Sequence, residues 1–590
     1  MFDHRVTGLV PLLLIGAHAA ATPKDGDPAT DATVVQHESG KYDAPVLTPN
    51  VGRTPAARLA FGAYTHVQVN VDANGMNIVD DAGNEPSLAV DPTAPNRIVA
   101  GWRQFGNIAS NFRQAGYAYS RDGGRTWSAQ QIIEPELFRS DPVLGVDENG
   151  RFYYQSLHVT DDNLFFCDMF ISDDHGETWP IKSFAFGGDK AWFAIDETGG
   201  PGHGNIYQPW NVAGNPYFPR QFNRSVDGAA SFEEPVEYAP GSSGPAIRPS
   251  FGILDVGPDG AVYVAGARNA GTNPTFWVVK SSDAQSAAVP SFEQHVQVDM
   301  GGNFVIGDGP NPQGLLGQVE IKVDSSGGPF HGNVYVMAPV RASGLDPMDI
   351  HFIRSEDGGL TWSTPKRVND DPAFATSAWQ WMAAMDVAPN GRIDAVWNDT
   401  RNTPGTENMN QLFYSFSLDG GVTWSANEAI SAPWNSHLGW PSQNKIGDYY
   451  QLVSDEVGAH LIWAATFNGE QDVYYTRIGD YDCNGNGVGD TIDLQSGDAA
   501  DCNANGIPDS CEIAAETESD ANGNGIPDSC EILCAGDFDG NGSVDFGDLL
   551  VTLGSWGPCA APCPPDLDAS GDVGFDDVVA LLAAWGACPE

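Results

Sequence analysis

Ser120-Arg121-Asp122-Gly123-Gly124-Arg125-Thr126-Trp127 is an eight-residue unit that this chain spells several times. It returns as Ser355-Glu356-Asp357-Gly358-Gly359-Leu360-Thr361-Trp362 and as Ser417-Leu418-Asp419-Gly420-Gly421-Val422-Thr423-Trp424. Ser172-Asp173-Asp174-His175-Gly176-Glu177-Thr178-Trp179 is a close variant, and Ser225-Val226-Asp227-Gly228-Ala229-Ala230-Ser231-Phe232 is a worn copy. Ser282-Asp283 before Phe292 reads as a broken sixth. The pattern is that of a tight hairpin. Its Asp can accept backbone N–H bonds across the turn, its glycines take angles other residues resist, and its Trp anchors the turn in apolar surroundings. A hairpin repeated this often predicts an array of like sheets.

Around these units runs a longer repeat. Each copy opens on a short apolar strand: Glu85 to Val90, Asp141 to Val146 and Ala191 to Ile195, then copies starting near Pro249, Gly317, Met382 and Gly447. A turn and a second strand follow, as in Arg97 to Trp102, Asn333 to Met337 and Ile393 to Trp397. A third strand leads into the hairpin unit and a fourth leaves it. Four strands every 50 to 68 residues predict propeller blades. Seven copies give seven blades, and six would require one copy to be an insertion. The seventh, Asp448 to Ile478, lacks a hairpin unit and a fourth strand; His66-Val67-Gln68-Val69-Asn70-Val71 is expected to complete it and close the ring. The pattern resembles the Asp-box, or BNR repeat, of sialidases and related β-propellers, a family whose boxes sit at blade edges away from the catalytic centre.

The 590 residues exceed one ordinary domain. With 78 acidic against 28 basic residues, a formal charge of −50, the chain is a poor partner for nucleic acid or anionic membranes. Residues 1–22 read as a secretory signal: His4 and Arg5, an apolar run from Leu9 to Ile15, then Ala17-His18-Ala19. No later stretch reaches membrane-spanning length. An exported protein, extracellular or held at a cell surface, is expected. Residues 23–60 read as a flexible linker and 61–480 as the propeller. Cys167 reads as a buried, inert thiol.

Past Arg477 there is no Lys or Arg, and 23 Asp or Glu follow to residue 590. They keep register. Asp482, Asn484, Asn486, Gly487, Asp490 and Asp493 occupy places 1, 3, 5, 6, 9 and 12 of a loop. Asp501, Asn503, Asn505, Gly506, Asp509 and Glu512 repeat it, as do Asp520, Asn522, Asn524, Gly525, Asp528 and Glu531. Asp537, Asp539, Asn541, Gly542, Ser543 and Asp548 form a fourth, and Asp566, Asp568, Ser570, Gly571, Asp572 and Asp577 a fifth. Oxygen donors at that spacing, with Gly at the sharp turn, predict five Ca2+ loops. The first three (481–533) resemble thrombospondin type 3 repeats. The last two (534–590) each feed an apolar helix ending in Trp-Gly, and resemble a type I dockerin, which implies EF-hand-like loops and a cohesin-like partner. Eight cysteines after residue 480 predict disulfides. Beside the dockerin resemblance, pairings of Cys534 with Cys559 and Cys563 with Cys588 are the staple expected, with connectivity open to the structure.

Propellers bind ligands over the channel, on loops entering first strands or leaving second strands. That rule selects Arg103, Arg268, Arg341, Asp399 and Arg401, and Glu85, Asp141, Asp189, Lys190, Arg248, Asp448, Tyr449 and Tyr450. Converging guanidiniums could grip a carboxylate. The sialidase resemblance implies exo-α-sialidase chemistry on extracellular glycans, with Tyr449 as nucleophile, Glu85 or Asp141 as carboxylates, and Arg103, Arg341 and Arg401 as the clamp. The alternative is a non-catalytic propeller that binds glycan or protein and is tethered by its tail. Zinc-protease, phosphate-loop and nucleophile-elbow motifs are absent from the sequence.

Overall fold

The computed structural model describes residues 42–588 apart from 46–49, 161, 212–214, 241–248, 269–274, 345, 374–377, 404, 522, 531–535, 560–562 and 569. The signal segment and most of the linker lie outside the described residues.

Seven antiparallel sheets form a seven-bladed propeller. Blade 1 is Ala82–Val90, Ile98–Phe105, Gln114–Ser120 and Gln131–Ile133. Blade 2 is Ser140–Val146, Phe152–Val159, Phe165–Ser172 and Ile181–Phe184. Blade 3 is the slightest, with Ala194–Ile195, Ile206–Pro209 and Phe222–Ser225, its fourth strand reduced to a bridge between Phe222 and Val236. Blade 4 is Leu254–Val256, Val262–Arg268, Thr275–Ser281 and Gln294–Val298. Blade 5 is Glu320–Val323, Val334–Ala342, Asp349–Ser355 and Lys366–Arg367. Blade 6 is Gln380–Val387, Ile393–Asp399, Met409–Ser417 and Glu428–Ala429. Blade 7 takes Gln451–Ser454, Gly458–Ala465 and Asp472–Gly479, and then Tyr64–Gln68 and Arg58–Phe61 from the start of the chain.

The ring therefore closes as expected. His66 faces Thr476, Val67 faces Tyr475 and Gln68 faces Tyr474. The buried His66 ring shares a 2.7 Å hydrogen bond with Thr476, and Asn70 donates to Asp472 at 2.7 Å. Arg53–Pro55 and Arg58–Phe61, inside the stretch read as linker, are strands. The hairpin Ile306–Asp308 and Asn311–Leu315, between blades 4 and 5, belongs to no blade.

Blades bury both faces, so their middle strands are buried along their length; every residue of Ile98–Phe105 is buried, Arg103 and Gln104 included. Neighbouring blades touch closely enough that a Cβ on Gly101 would lie 2.5 Å from the Tyr154 ring. The core fills the gaps between blades.

The hairpin units work as read. Ser120 Oγ donates to Asp122 at 2.8 Å and accepts from the Gly124 N–H, while Asp122 accepts from the Thr126 N–H at 2.8 Å. Boxes at Asp174, Asp227, Asp357 and Asp419 repeat this net. The sixth is real, with one correction: Ser281, not Ser282, supplies the hydroxyl to Asp283, whose acceptor role is completed across an insertion by Ser291. The Trp of each of three boxes leans on the preceding blade: Trp127 on Tyr475, Trp179 on Tyr117 and Trp424 on Phe352, with centroids 5.3–5.9 Å apart. Gly124, at φ +84°, could carry no side chain there, because a Cβ would strike the Tyr475 ring at 2.3 Å.

The tail carries helices Asp490–Ser496, Asp509–Ala514, Phe546–Gly554 and Phe575–Ala583. Its last two loops are cross-paired: Ser543–Val544 pairs with Gly586–Ala587, and Asp572–Val573 with Gly557–Pro558. Disulfides join Cys483 to Cys511 and Cys502 to Cys530, each spanning 28 residues and linking one loop to the next. The expected 534–559 and 563–588 pairings are overturned: Cys559 bonds Cys563, four residues on, and Cys588 is bonded elsewhere. Cys167 is a buried free thiol, pushed up by burial.

Candidate functional site

The same backbone twist recurs at the entry to every blade. Glu85, Asp141, Lys190, Phe251, Gly317, Met382 and Gly447 all have positive φ, from +48° to +125°. Five of the seven are not glycine, a conformation that costs each of them roughly 1–3 kcal/mol. In blades 1 and 6 it coincides with a bulge in the pairing of the first strand. Charged side chains cluster at four of these entries. Blades 1 to 3 supply Glu85, Asp141 and Lys190; blade 7 follows its glycine with Asp448.

These charges meet. Lys190 Nζ lies 2.7 Å from Asp448, 3.2 Å from Asp141 and 3.7 Å from Glu85. Lys445 Nζ lies 2.7 Å from Asp448 and 3.2 Å from Glu85, and Arg103 reaches Glu85 at 3.3 Å. All six are buried, with exposures of 0–5%. Burial pushes Glu85 up to about 7 against the pull of Arg103, Lys190 and Lys445. Burial would also raise Asp141, but Lys190 and Arg103 outweigh it and hold that carboxyl below its ordinary range. Asp448 is held low in the same way by Lys190 and Lys445. Asp189 is pushed up to about 6 by burial.

Tyr449 joins this cluster as packing. Its ring is buried edge-on against Trp192 at 5.3 Å, and its hydroxyl donates to the Pro142 carbonyl at 2.8 Å. Burial raises its phenol well above the ordinary value. Tyr450 is buried likewise and donates to the Ala464 carbonyl.

The predicted residues divide. Glu85, Arg103, Asp141 and Tyr449 come together, with Asp189, Lys190 and Asp448. Arg341 and Arg401 do not join them. Arg341 is half-exposed, pairs with Asp308 at 2.6 Å and lies over Trp379. Arg401 is held by Asp399 at 2.8 Å and Asp370 at 2.5 Å, over Phe413. The three-arginine clamp is thus corrected: each guanidinium answers to its own carboxylate. Arg248 and the Arg268 side chain lie outside the described residues. Sequence reasoning missed Lys445, Arg113 and Tyr42. Lys445 had a signal, three residues before Asp448; Tyr42 had none.

The cluster is roofed. Leu315 N–H, on the hairpin between blades 4 and 5, donates to Asp448 at 2.7 Å, and Asn311 donates to the Gly447 carbonyl. Tyr42 packs on Phe138, with centroids 3.8 Å apart, under the buried Arg113 guanidinium. Beside the roof, Arg341 borders an open groove of about 620 Å³ lined by Phe276, Gln297, Asp299, Met300 and Asn303.

Residues 118–129 match the BNR/Asp-box repeat model. That match is one hairpin unit and its flanks. No curated protein matches the chain. Among solved structures, a Dyadobacter fermentans protein of unknown function is 14% identical, covering 70% of this chain and 97% of its own, with a TM-score of 0.39. Trypanosoma rangeli sialidase is 11% identical over 72% of this chain and 59% of its own, with a TM-score of 0.36. A PL25 ulvan lyase bound to a GlcA(1-4)Rha3S sugar is 11% identical over 70% and 96%, with a TM-score of 0.41.

The tail loops hold the second constellation. In all five, the first-place Asp accepts the N–H of the sixth-place Gly at 2.8 Å, and of the fifth-place residue at 2.9–3.2 Å. Those glycines have φ of +80° to +91°, which is why the sixth place is Gly. Carboxylate oxygens of Asp537, Asp539 and Asp548 converge within 4.8 Å, as do those of Asp566, Asp568 and Asp577. Such oxygen sets could hold a hard divalent cation. In the first two loops Asn484, Asn486, Asn503 and Asn505 close on Asp493 and Glu512. Cys483 and Cys511 lie close to Asp490, but their disulfide excludes them as ligands. Asn522 and Glu531 lie outside the described residues.

Among the described residues, no helix is long and apolar enough to cross a membrane.

Proposed function

We propose that this chain is an exported, non-catalytic propeller that binds glycan or protein and is tethered through a calcium-loaded tail. One observation carries it: the groups a sialidase-type reaction would use are buried and mutually neutralised, with the Tyr449 hydroxyl committed to the Pro142 carbonyl rather than to a carboxylate base. The channel cluster then acts as a hub locking blades 7, 1, 2 and 3. The groove beside Arg341, with amide and guanidinium donors over Phe276 and Met300, has the mixed polar and apolar chemistry that suits a sugar.

For the tail, calcium suits the all-oxygen donor set and the left-handed glycine at the sixth place. The tether is supported by a duplicated apolar face. Phe546, Leu550, Leu553 and Trp556 recur 29 residues later as Phe575, Val579, Leu582 and Trp585, and all eight are exposed by 46–72%. Such a face is expected to be covered by a partner such as a cohesin-like module.

The test is fluorophore release from an α-sialoside by the full chain in calcium, run beside a glycan array. No turnover, with array binding weakened by Arg341→Ala, is expected. Turnover lost in Glu85→Gln or Tyr449→Phe would overturn the reading and make the cluster an active site.

A further inference from the structure

The six hairpin units share a net of Ser, Asp and Thr or Ser bonds but differ at the outward second and sixth places. Four of the later boxes carry acidic or apolar residues there, Asp173 and Glu177, Val226 and Ala230, Glu356 and Leu360, Leu418 and Val422, and the broken sixth has Ser282 at its second place. The first carries Arg121 and Arg125, in a molecule where arginine is scarce.

Both arginines meet the tail. The Arg125 guanidinium lies 3.6 Å from the centroid of the Tyr481 ring and 3.9 Å from the Asp490 carboxylate. Arg121 pairs with Glu516 at 2.9 Å and also with Glu177 of the neighbouring hairpin unit. Arg97 donates to the Ala514 carbonyl at 3.2 Å, and the Arg477 guanidinium lies 5.7 Å from the centroid of the Tyr481 ring. The box backbone fits too: Gly123 comes so near that a Cβ would lie 3.2 Å from Tyr481. These contacts fall on the first loop and on the end of the helix that follows the second, which the Cys483–Cys511 bond ties together. One Asp490 oxygen, buried, has no hydrogen-bond partner there. Asp490 is also the ninth-place residue of the first loop, and its other oxygen accepts the Cys483 N–H at 2.8 Å, so one side chain belongs both to the loop and to the propeller contact.

We propose that the first Asp-box is a dedicated docking site for the chain's own first two calcium loops, and that calcium in those loops holds them there. It rests on the calcium reading above. The charges are complementary: the tail has no cation of its own, and the propeller offers Arg97, Arg121, Arg125 and Arg477 at this one edge. With calcium the loops keep the shape that presents Tyr481, Asp490 and Glu516 together. Without it, Asp480, Asp482, Asp490 and Asp493 repel one another and the presented surface is lost. The arm then swings from residue 480 rather than from beyond residue 516.

Hydrogen exchange and small-angle scattering on the full chain, in calcium and in EGTA, test this, with calcium uptake followed by calorimetry. In calcium, amides of 480–516 and of the first box are expected to be protected together; EGTA should deprotect both and lengthen the particle. Arg121→Glu with Arg125→Glu should bind as much calcium as the parent yet lose protection at Gly123 and Tyr481. Glu516→Lys added to Arg121→Glu alone should restore it. Unchanged protection and length in the double variant would overturn the docking site. Deprotection of the loops in EGTA with no change at the box would overturn its dependence on calcium. Absence of calcium heats in the parent would instead defeat the calcium reading, while the variant arms still read the docking.

Discussion

The propeller and the tail meet the problem of crowded carboxylates in opposite ways. At the channel, Glu85, Asp141 and Asp448 are matched by Arg103, Lys190 and Lys445 from the same chain, at distances of 2.7–3.7 Å. In the tail, 23 acids face no Lys or Arg beyond Arg477. One region is complete as translated. The other, on the calcium reading proposed above, is completed by ions from outside and by the few arginines that the propeller lends. A charged cluster that is internally paired reads as architecture, whereas one that is unpaired and in register reads as a binding site.

The sharpest way to break this contrast is chelation. EGTA is expected to unfold residues 481–590 and leave the propeller folded, followed by circular dichroism and by exchange of the blade amides. Equal loss in both regions would erase the distinction. Reduction comes next. Cleaving Cys483–Cys511 or Cys502–Cys530 should cost the tail about 3–4 kcal/mol each, by the loop length they close, and leave propeller Tm unmoved, since its lone thiol is free. Within the propeller, Trp424→Ala should cost about 2–3 kcal/mol in denaturant titration, because that ring packs on Phe352 of the neighbouring blade.

A pH series sharpens the hub. Glu85 is raised in the folded state from 4.5 to about 7. The folded chain therefore holds the extra proton, and this contribution is full below about pH 4.5 and lost as pH rises through about 7. Asp141 and Asp448 are held low, so theirs is present above their ordinary range and lost in acid. Glu85→Gln is expected to flatten the decline of propeller Tm between pH 5 and 8, on the order of 2 kcal/mol, at saturating calcium. Smallest is Tyr449→Phe, which should lose about 1 kcal/mol with the bond to Pro142 and alter nothing else.

Much of this was legible. Each Asp-box is a local net whose Ser, Asp and Thr lie within eight residues, so spacing alone carries it, and the loop register of the tail is equally local. Ring closure was legible because the seventh copy is short by a strand that His66–Val71 resembles. What sequence could not convey was direction. The rule that picked Arg103, Arg341 and Arg401 ranks strand ends, but the positive-φ residue at the entry to each blade is what sets the local direction of the chain there. Arg341 is drawn aside by Asp308 of the hairpin 306–315, and Arg401 by Asp399 two residues before it. Tyr42 lies in a segment without periodicity, and the hairpin 306–315 that roofs the cluster has no counterpart in other blades. The cysteine pairing failed because duplication suggested symmetry, where the chain instead joined neighbours.

Closing the seventh blade with the first strand sets an order on folding. His66 and Thr476 stand 410 residues apart, and until the second of them has been made Tyr64–Gln68 pairs with Arg58–Phe61 alone and has no blade to join. A ribosome partway through this chain therefore holds a growing row of sheets with two open edges, not a smaller ring. Contacts of such separation form late and slowly, and unpaired edges in the interval invite pairing with other chains. A chain cut short within blade 7 would not be a propeller with a missing part; it would be a sheet array looking for a neighbour.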